Sequence, residues 1–293
     1  MSAARAYLDG NAARNKPCCI GNRPPMRSFP ALILSGLLIA APMSLALAQE
    51  DSAAGETKTD AVARAERYAA CMRLARSEPA TGLSRARTWR DTGGAAPARH
   101  CEGVALMTLG RYAESGRVLE ALAQDLPADA QARLRANALA QAGQAWLLAD
   151  KAARAEAAYG EALDLRPDDP DLWIDRALAR FDMGRYWETI DDLNHAAGLA
   201  PERAGVFVYR ASAYRHVEAP EMAREDVNRA LDLDPDHLEG LLERGILHRL
   251  AGREAAARED WLQILDQAPD SPAAFAARDN LEKMDVEIED SPS

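Results

Sequence analysis

The chain has 293 residues, with 35 lysines and arginines against 46 aspartates and glutamates, a formal charge of −11. That balance excludes a basic nucleic-acid-coating protein, because a phosphate backbone is held through an excess of cationic side chains. Hydrophobic residues make up 48% but aromatics only 5%, so the core is expected to be built from small aliphatic groups packed between alanine-rich helices. Four cysteines without a CxxC pair exclude a disulfide-dense miniprotein and argue against zinc-ribbon and thioredoxin-like sites.

Residues 26–49 read MRSFPALILSGLLIAAPMSLALAQ. A basic start at Arg27, an apolar stretch from Ala31 to Ala41 and an Ala46-Leu47-Ala48 end have the form of a secretory signal cleaved after Ala48. Pro42 and Ser44 interrupt the apolar run before it can span a bilayer. Residues 1–48 are therefore expected to leave as a signal peptide, and Met26 is itself a sound start for one. Cys18 and Cys19 would go with it. No cysteine ends the apolar stretch, so the lipobox of a bacterial lipoprotein is lacking and no stable membrane insertion is expected. The exported part loses more basic than acidic groups and becomes more acidic still. Residues 49–60 are polar and are read as a flexible leader.

From residue 61 onward the pattern is helical. Residues 61–95 are expected to form a degenerate helical hairpin. Residues 96–129 form a first repeat unit, with Gly103, Gly110, Ser115 and Leu119 at its special positions. Beyond it Pro167, Pro201, Pro235 and Pro269 stand at a constant spacing of 34, the mark of a solenoid. With each proline as position 32, four units run 136–169, 170–203, 204–237 and 238–271. The interval from Pro127 to Pro167 is 40 rather than 34, so the first helix of the second unit is expected to be lengthened. Residues 272–284 read as a capping helix and 285–293 as a disordered acidic tail.

Within each unit, positions 4, 8 and 11 and then 20, 24 and 27 place one apolar stripe on each of two helices. Position 8 holds Gly143, Ala177, Ala211 and Gly245, and position 20 holds Ala155, Thr189, Ala223 and Ala257. These small residues let the paired helices approach, and Tyr159, Leu193, Val227 and Trp261 at position 24 fill the space beside them. Trp146 and Trp173 complete the large set. Asp169 before Pro170, Ser271 before Pro272, and Asp236 with Glu239 are expected to begin helices.

These residues resemble the tetratricopeptide repeat, over the whole stretch from Ala136 to about Ser271. The resemblance implies an all-α, right-handed superhelical solenoid of antiparallel helix pairs, and a protein-binding role of the exported bacterial type. It implies further that positions 5, 9 and 12 of the first helices line a groove, here Ile174, Leu178 and Phe181, then Val208, Ser212 and Arg215, then Leu242, Ile246 and Arg249. Repeats that clamp a C-terminal carboxylate carry Lys and Asn at positions 5 and 9, which this chain lacks. An apolar trough with a few arginines is expected to take a helix or extended peptide bearing acidic groups. First helices of consecutive hairpins are neighbours in the resembled fold, so Cys71 and Cys101 are expected to be within reach of a disulfide.

The chain has no GxxxxGK[ST] phosphate loop, GxSxG elbow or HExxH helix. His195, His216, His237 and His248 show no ligand spacing, and Pro235 spoils the calcium-loop likeness of Asp232, Asp234, Asp236 and Glu243. No cofactor, metal or catalytic residue is expected. The acid pairs Asp191-Asp192, Glu225-Asp226 and Glu259-Asp260 recur at positions 22 and 23 and are expected to form a solvated ridge. The reading that results is a periplasmic or secreted scaffold that is not an enzyme and holds a protein or peptide partner. The alternatives are thiol or metal chemistry around Cys71, His100 and Cys101, or a self-assembling structural module.

Overall fold

The computed structural model describes residues 58–127 and 132–289, and among these every regular element is a helix. The predicted signal segment, the leader as far as residue 57, Cys18, Cys19 and residues 290–293 lie outside the described residues. The first hairpin is α1 (Lys58–Ser77) and α2 (Pro79–Trp89). A kink over Arg90–Gly94, where Gly93 takes a φ of 95°, leads into α3 (Ala95–Thr108) and α4 (Tyr112–Asp125). Four further pairs follow: α5 (Ala132–Leu148) with α6 (Ala152–Leu165), α7 (Pro170–Asp182) with α8 (Tyr186–Leu199), α9 (Ala204–His216) with α10 (Pro220–Leu233), and α11 (Leu238–Leu250) with α12 (Glu254–Gln267). The single helix α13 (Pro272–Glu289) closes the stack. Each helix packs mainly on its neighbours in sequence, and α1 also packs on α3, the one-dimensional logic of a solenoid.

The period has a local cause. A residue before proline is pushed out of the helical region, and Arg166, Ala200, Asp234 and Ala268 all adopt extended or bridging backbone there, with φ between −137° and −147°. Each second helix therefore stops just before its proline. Side-chain caps start the next helix at α7 and α13, where Asp169 accepts from the Asp171 N–H at 3.0 Å and Ser271 Oγ from the Ala274 N–H at 3.1 Å, whereas Arg203 before α9 makes no such cap. At α11 the cap is His237, whose Nδ1 accepts from the Gly240 N–H at 3.2 Å. The expected Asp236 cap is displaced by one residue, and Asp236 instead accepts from Gln267 Nε2 at 2.8 Å.

α5 has 17 residues where α7, α9 and α11 have 13, which absorbs the longer proline interval. Two boundaries differ from expectation. α1 takes in residues 58–60 of the expected leader, with Asp60 favourably placed in its first turn. α13 continues to Glu289, because Met284 is buried and Arg258 of α12 pairs with Asp285 across the 284 boundary.

Inside each pair, size is matched at the helix crossing. A Cβ added to Gly143 would stand 2.7 Å from the Tyr159 ring, and one added to Gly103 would stand 2.7 Å from Leu119. Gly245 lies closer still against Trp261. Where position 8 is alanine, as in Ala177 and Ala211, position 24 is the smaller Leu193 or Val227, and all four are fully buried. Ala155, Ala223 and Ala257 at position 20 are fully buried as well, Trp146 is 1% exposed, and Pro167, Pro201, Pro235 and Pro269 sit exposed in the turns.

Candidate functional site

The recurring acid pairs are not a ridge of equivalent charges. Asp191, Glu225 and Glu259 are exposed, but Asp192, Asp226 and Asp260 are buried at 2%, 6% and 3% exposure. Each buried carboxylate binds an arginine 16 residues earlier, on the first helix of its own unit: Arg176 to Asp192 at 2.7 Å, Arg210 to Asp226 at 2.6 Å and Arg244 to Asp260 at 2.5 Å. Adjacent residues on a helix point about 100° apart, so one acid of each pair faces water and the other must face the partner helix. In the unit 136–169 both positions are alanine, Ala142 and Ala158, so arginine and aspartate come and go together.

The expected groove is largely filled. Val208, Ser212, Leu242 and Ile246 are at most 7% exposed, and Phe181 is buried beside Ile190 and Ala213. Leu242 and Ile246 join the cluster that contains Ala211, and Val208 packs with Phe207 and Ala204. The small residues that draw the helices together also close the gap between successive first helices, so side chains at positions 5, 9 and 12 become inter-repeat core. The arginines are not free for a partner either. Arg215 is held by the buried Glu243, with its Nε 2.5 Å from Oε1, and the half-buried Arg249 also has partners within the chain.

Of the expected groove residues, Leu178 and Ile174 line an open cleft, which lies between α7 and α9 and reaches the turn before α11. Its volume is about 610 Å³. Its apolar wall includes Val206, Tyr209 and Leu233, residues that the positional reading did not include. Its rim carries Asp171, Asp175, Glu202 and Asp234 against Arg203 and His237. Arg203 is itself paired with Asp171. Asp175 is half-buried, and its carboxyl is pushed up to about 7, first by burial and then by the charges of Asp171 and Asp169, with Arg203 opposing. The cleft therefore offers acid, which reverses the expectation of a partner bearing acidic groups. The signal was available in the sequence as Asp171 and Asp175, one turn apart on the first helix.

At the other end, Cys71 of α1 and Cys101 of α3 form a disulfide with Cα atoms 6.1 Å apart. His100 beside it is 4% exposed. Its Nδ1 lies 2.7 Å from the Tyr68 hydroxyl and its Nε2 lies 3.0 Å from Gln141 Oε1. The amide oxygen can only accept, so Nε2 carries the proton and Nδ1 accepts from Tyr68. Burial holds the imidazole neutral, with its pKa lowered to about 4. With both nitrogens engaged and both sulfurs bonded to each other, this cluster offers no ligand to a metal. No group of three or more potential metal ligands occurs among the described residues, and no helix among them is long and apolar enough to cross a membrane.

No family model matches the chain, and no curated protein matches it in sequence. Solved structures do. MamA from Desulfovibrio magneticus, residues 41 to the end, superposes with a TM-score of 0.53 at 21% identity, over 61% of this chain and 99% of that one. YrrB, described as a tetratricopeptide-repeat protein with an unusual peptide-binding site, gives 0.51 at 18% identity, over 64% and 97%. A thermophilic repeat protein of Thermus thermophilus gives 0.51 at 20% identity, over 64% and 99%. The fold of this chain is that of the tetratricopeptide-repeat proteins, an all-α solenoid of helix pairs.

Proposed function

We propose that the protein is a non-enzymatic interaction scaffold, exported by residues 1–48 to the periplasm or beyond, that holds a peptide or helix of a partner protein in the cleft between α7 and α9. The observation that carries this reading is the cleft itself, with an apolar wall around Leu178 and Tyr209 and an acidic rim. An apolar wall binds side chains through burial, and a carboxylate already strained by burial gains most from a cation. The partner segment therefore carries lysine or arginine flanked by apolar residues. The peptide-binding site attributed to YrrB supports the class of function.

Selection from a displayed random-peptide library is the direct test. Binders are expected to share a basic residue beside apolar ones. Asp175→Asn and Leu178→Lys are each expected to weaken those binders by about tenfold or more, with the helical circular dichroism unchanged. Affinity is also expected to rise from pH 6 to pH 8, as Asp175 ionises. Binders without basic residues, or binders indifferent to both substitutions, would overturn the reading. Export is tested separately, by N-terminal sequencing of the secreted chain, which is expected to begin at Gln49.

A further inference from the structure

The exact repeat allows one boundary between units to be compared with another, and two of them differ in a telling way. At the boundary between units 136–169 and 170–203, Glu156 of α6 accepts from Arg180 Nε at 2.9 Å and Arg185 Nη1 at 2.7 Å. Arg185 also donates to Glu188 at 2.9 Å, and Arg180 reaches Asp192 at 2.9 Å. The charges there close among themselves.

Two periods further on, the same four places are Arg224, His248, Arg253 and Ala256. Glu156 has become Arg224, and Glu188 has become Ala256. Arg180 has become His248, whose Nε2 keeps the same carboxylate in view, 3.8 Å from Asp260. Arg253 stands where Arg185 stood. Both acids are lost while the number of guanidinium groups stays at two, in a chain of charge −11.

What remains is a pocket of about 310 Å³ between α10, α11 and the turn into α12. Arg224, Asn228, Arg244, His248 and Arg253 line it, and no lining side chain is acidic. Arg244 is neutralised by Asp260. Arg224 and Arg253 take part in no ion pair among the described residues, and His248 Nδ1 is buried there without a hydrogen-bond partner. Burial, together with Arg253 and Arg244, pushes the imidazole pKa down against the pull of Asp260, as expected beside uncompensated positive charge.

We propose that this pocket is an anion site that binds a phosphate dianion, free or as the head of a small phosphate monoester, in the place Glu156 fills at the earlier boundary. Two guanidinium groups without counter-charge match a group carrying close to two negative charges, and each can donate two parallel hydrogen bonds to phosphate oxygens. A monocarboxylate satisfies only half of that charge. The middle boundary, with Ile190, Tyr214 and Ala219 at the corresponding places, has no charge to satisfy and is not a site.

The test is calorimetric titration of the full-length protein with inorganic phosphate at low ionic strength and pH 8, beside equal concentrations of acetate and of glycerol phosphate. Saturable phosphate binding is expected, with acetate weaker by about tenfold. Arg253→Gln is expected to weaken it by about tenfold or more, whereas Arg229→Gln, on the same helix as Arg224 but outside the pocket, leaves it unchanged. Arg224→Glu restores the earlier boundary's carboxylate, so it is expected to abolish phosphate binding and raise Tm. That gain separates loss of the site from loss of the fold. Tighter binding of the monoester assigns the site to an organic phosphate, and tighter binding of the inorganic ion assigns it to free phosphate. No saturable binding, acetate equal to phosphate, or binding that survives Arg224→Glu would overturn the proposal.

Discussion

At the scale of single residues, fit at positions 8 and 24 governs how closely two helices can cross. Gly143 has the Tyr159 ring against it and Ala177 has the smaller Leu193, both without spare room. Gly143→Ala alone should cost about 1–3 kcal/mol by overpacking. Gly143→Ala combined with Tyr159→Leu reproduces the Ala177–Leu193 pair and should recover most of that loss. Urea denaturation of both variants and of Tyr159→Leu closes the cycle, and additive effects would show that the two positions do not share the space. This layer of the fold was legible in the sequence because it is local and repeated. Small residues recur at fixed places, and prolines mark the stops. The displaced cap at His237 was less legible, because a histidine accepting through Nδ1 has no common sequence signature.

Between elements, the ion pairs of units 170–203, 204–237 and 238–271 join first helix to second. Removing one member strands the other in the interior, whereas removing both leaves only lost packing. Asp226→Ala should therefore cost about 3–5 kcal/mol, and Arg210→Ala with Asp226→Ala should cost less than Asp226→Ala alone. The doubly alanine arrangement already stands in Ala142 and Ala158. Thermal denaturation of the two variants decides the order, and a double variant less stable than the single one would show that the pair is not a closed unit. These contacts escaped the sequence reading because hydropathy places every aspartate outside, and only the matching arginine 16 residues earlier reveals which acid turns inward. The groove was misjudged for the converse reason. Positions 5, 9 and 12 identify a face, but how far that face is covered depends on how closely the next pair packs, which Val208 and Ile246 show only in three dimensions.

Across the whole molecule, His100 of α3 ties together three successive first helices, through Tyr68 of α1 and Gln141 of α5. The disulfide from Cys71 to Cys101 fastens the same junction covalently. Protonating His100 would break the bond it accepts from Tyr68 and place a charge in the interior. Its pKa lies near 4 in the folded chain against 6.5 as the ordinary value, so between those limits the unfolded chain binds more protons. The contribution of His100 is fully present above pH 6.5 and is lost as pH falls toward 4. Asp175, pushed up to about 7, acts in the opposite sense, since its raised carboxyl favours the folded state at low pH and loses that advantage as pH rises. Half-buried His216, lowered to about 4, adds to the direction of His100. Wild-type stability against pH is therefore a sum of opposing slopes, and a single curve does not isolate one group. Comparison with His100→Gln does, because all the other titrating groups, His248 with its lowered pKa among them, are common to both proteins. The stability gap between wild type and His100→Gln should be widest at pH 8 and should narrow by about 2 kcal/mol at pH 5, read from urea midpoints. A gap independent of pH would mean that His100 is not held neutral between Tyr68 and Gln141.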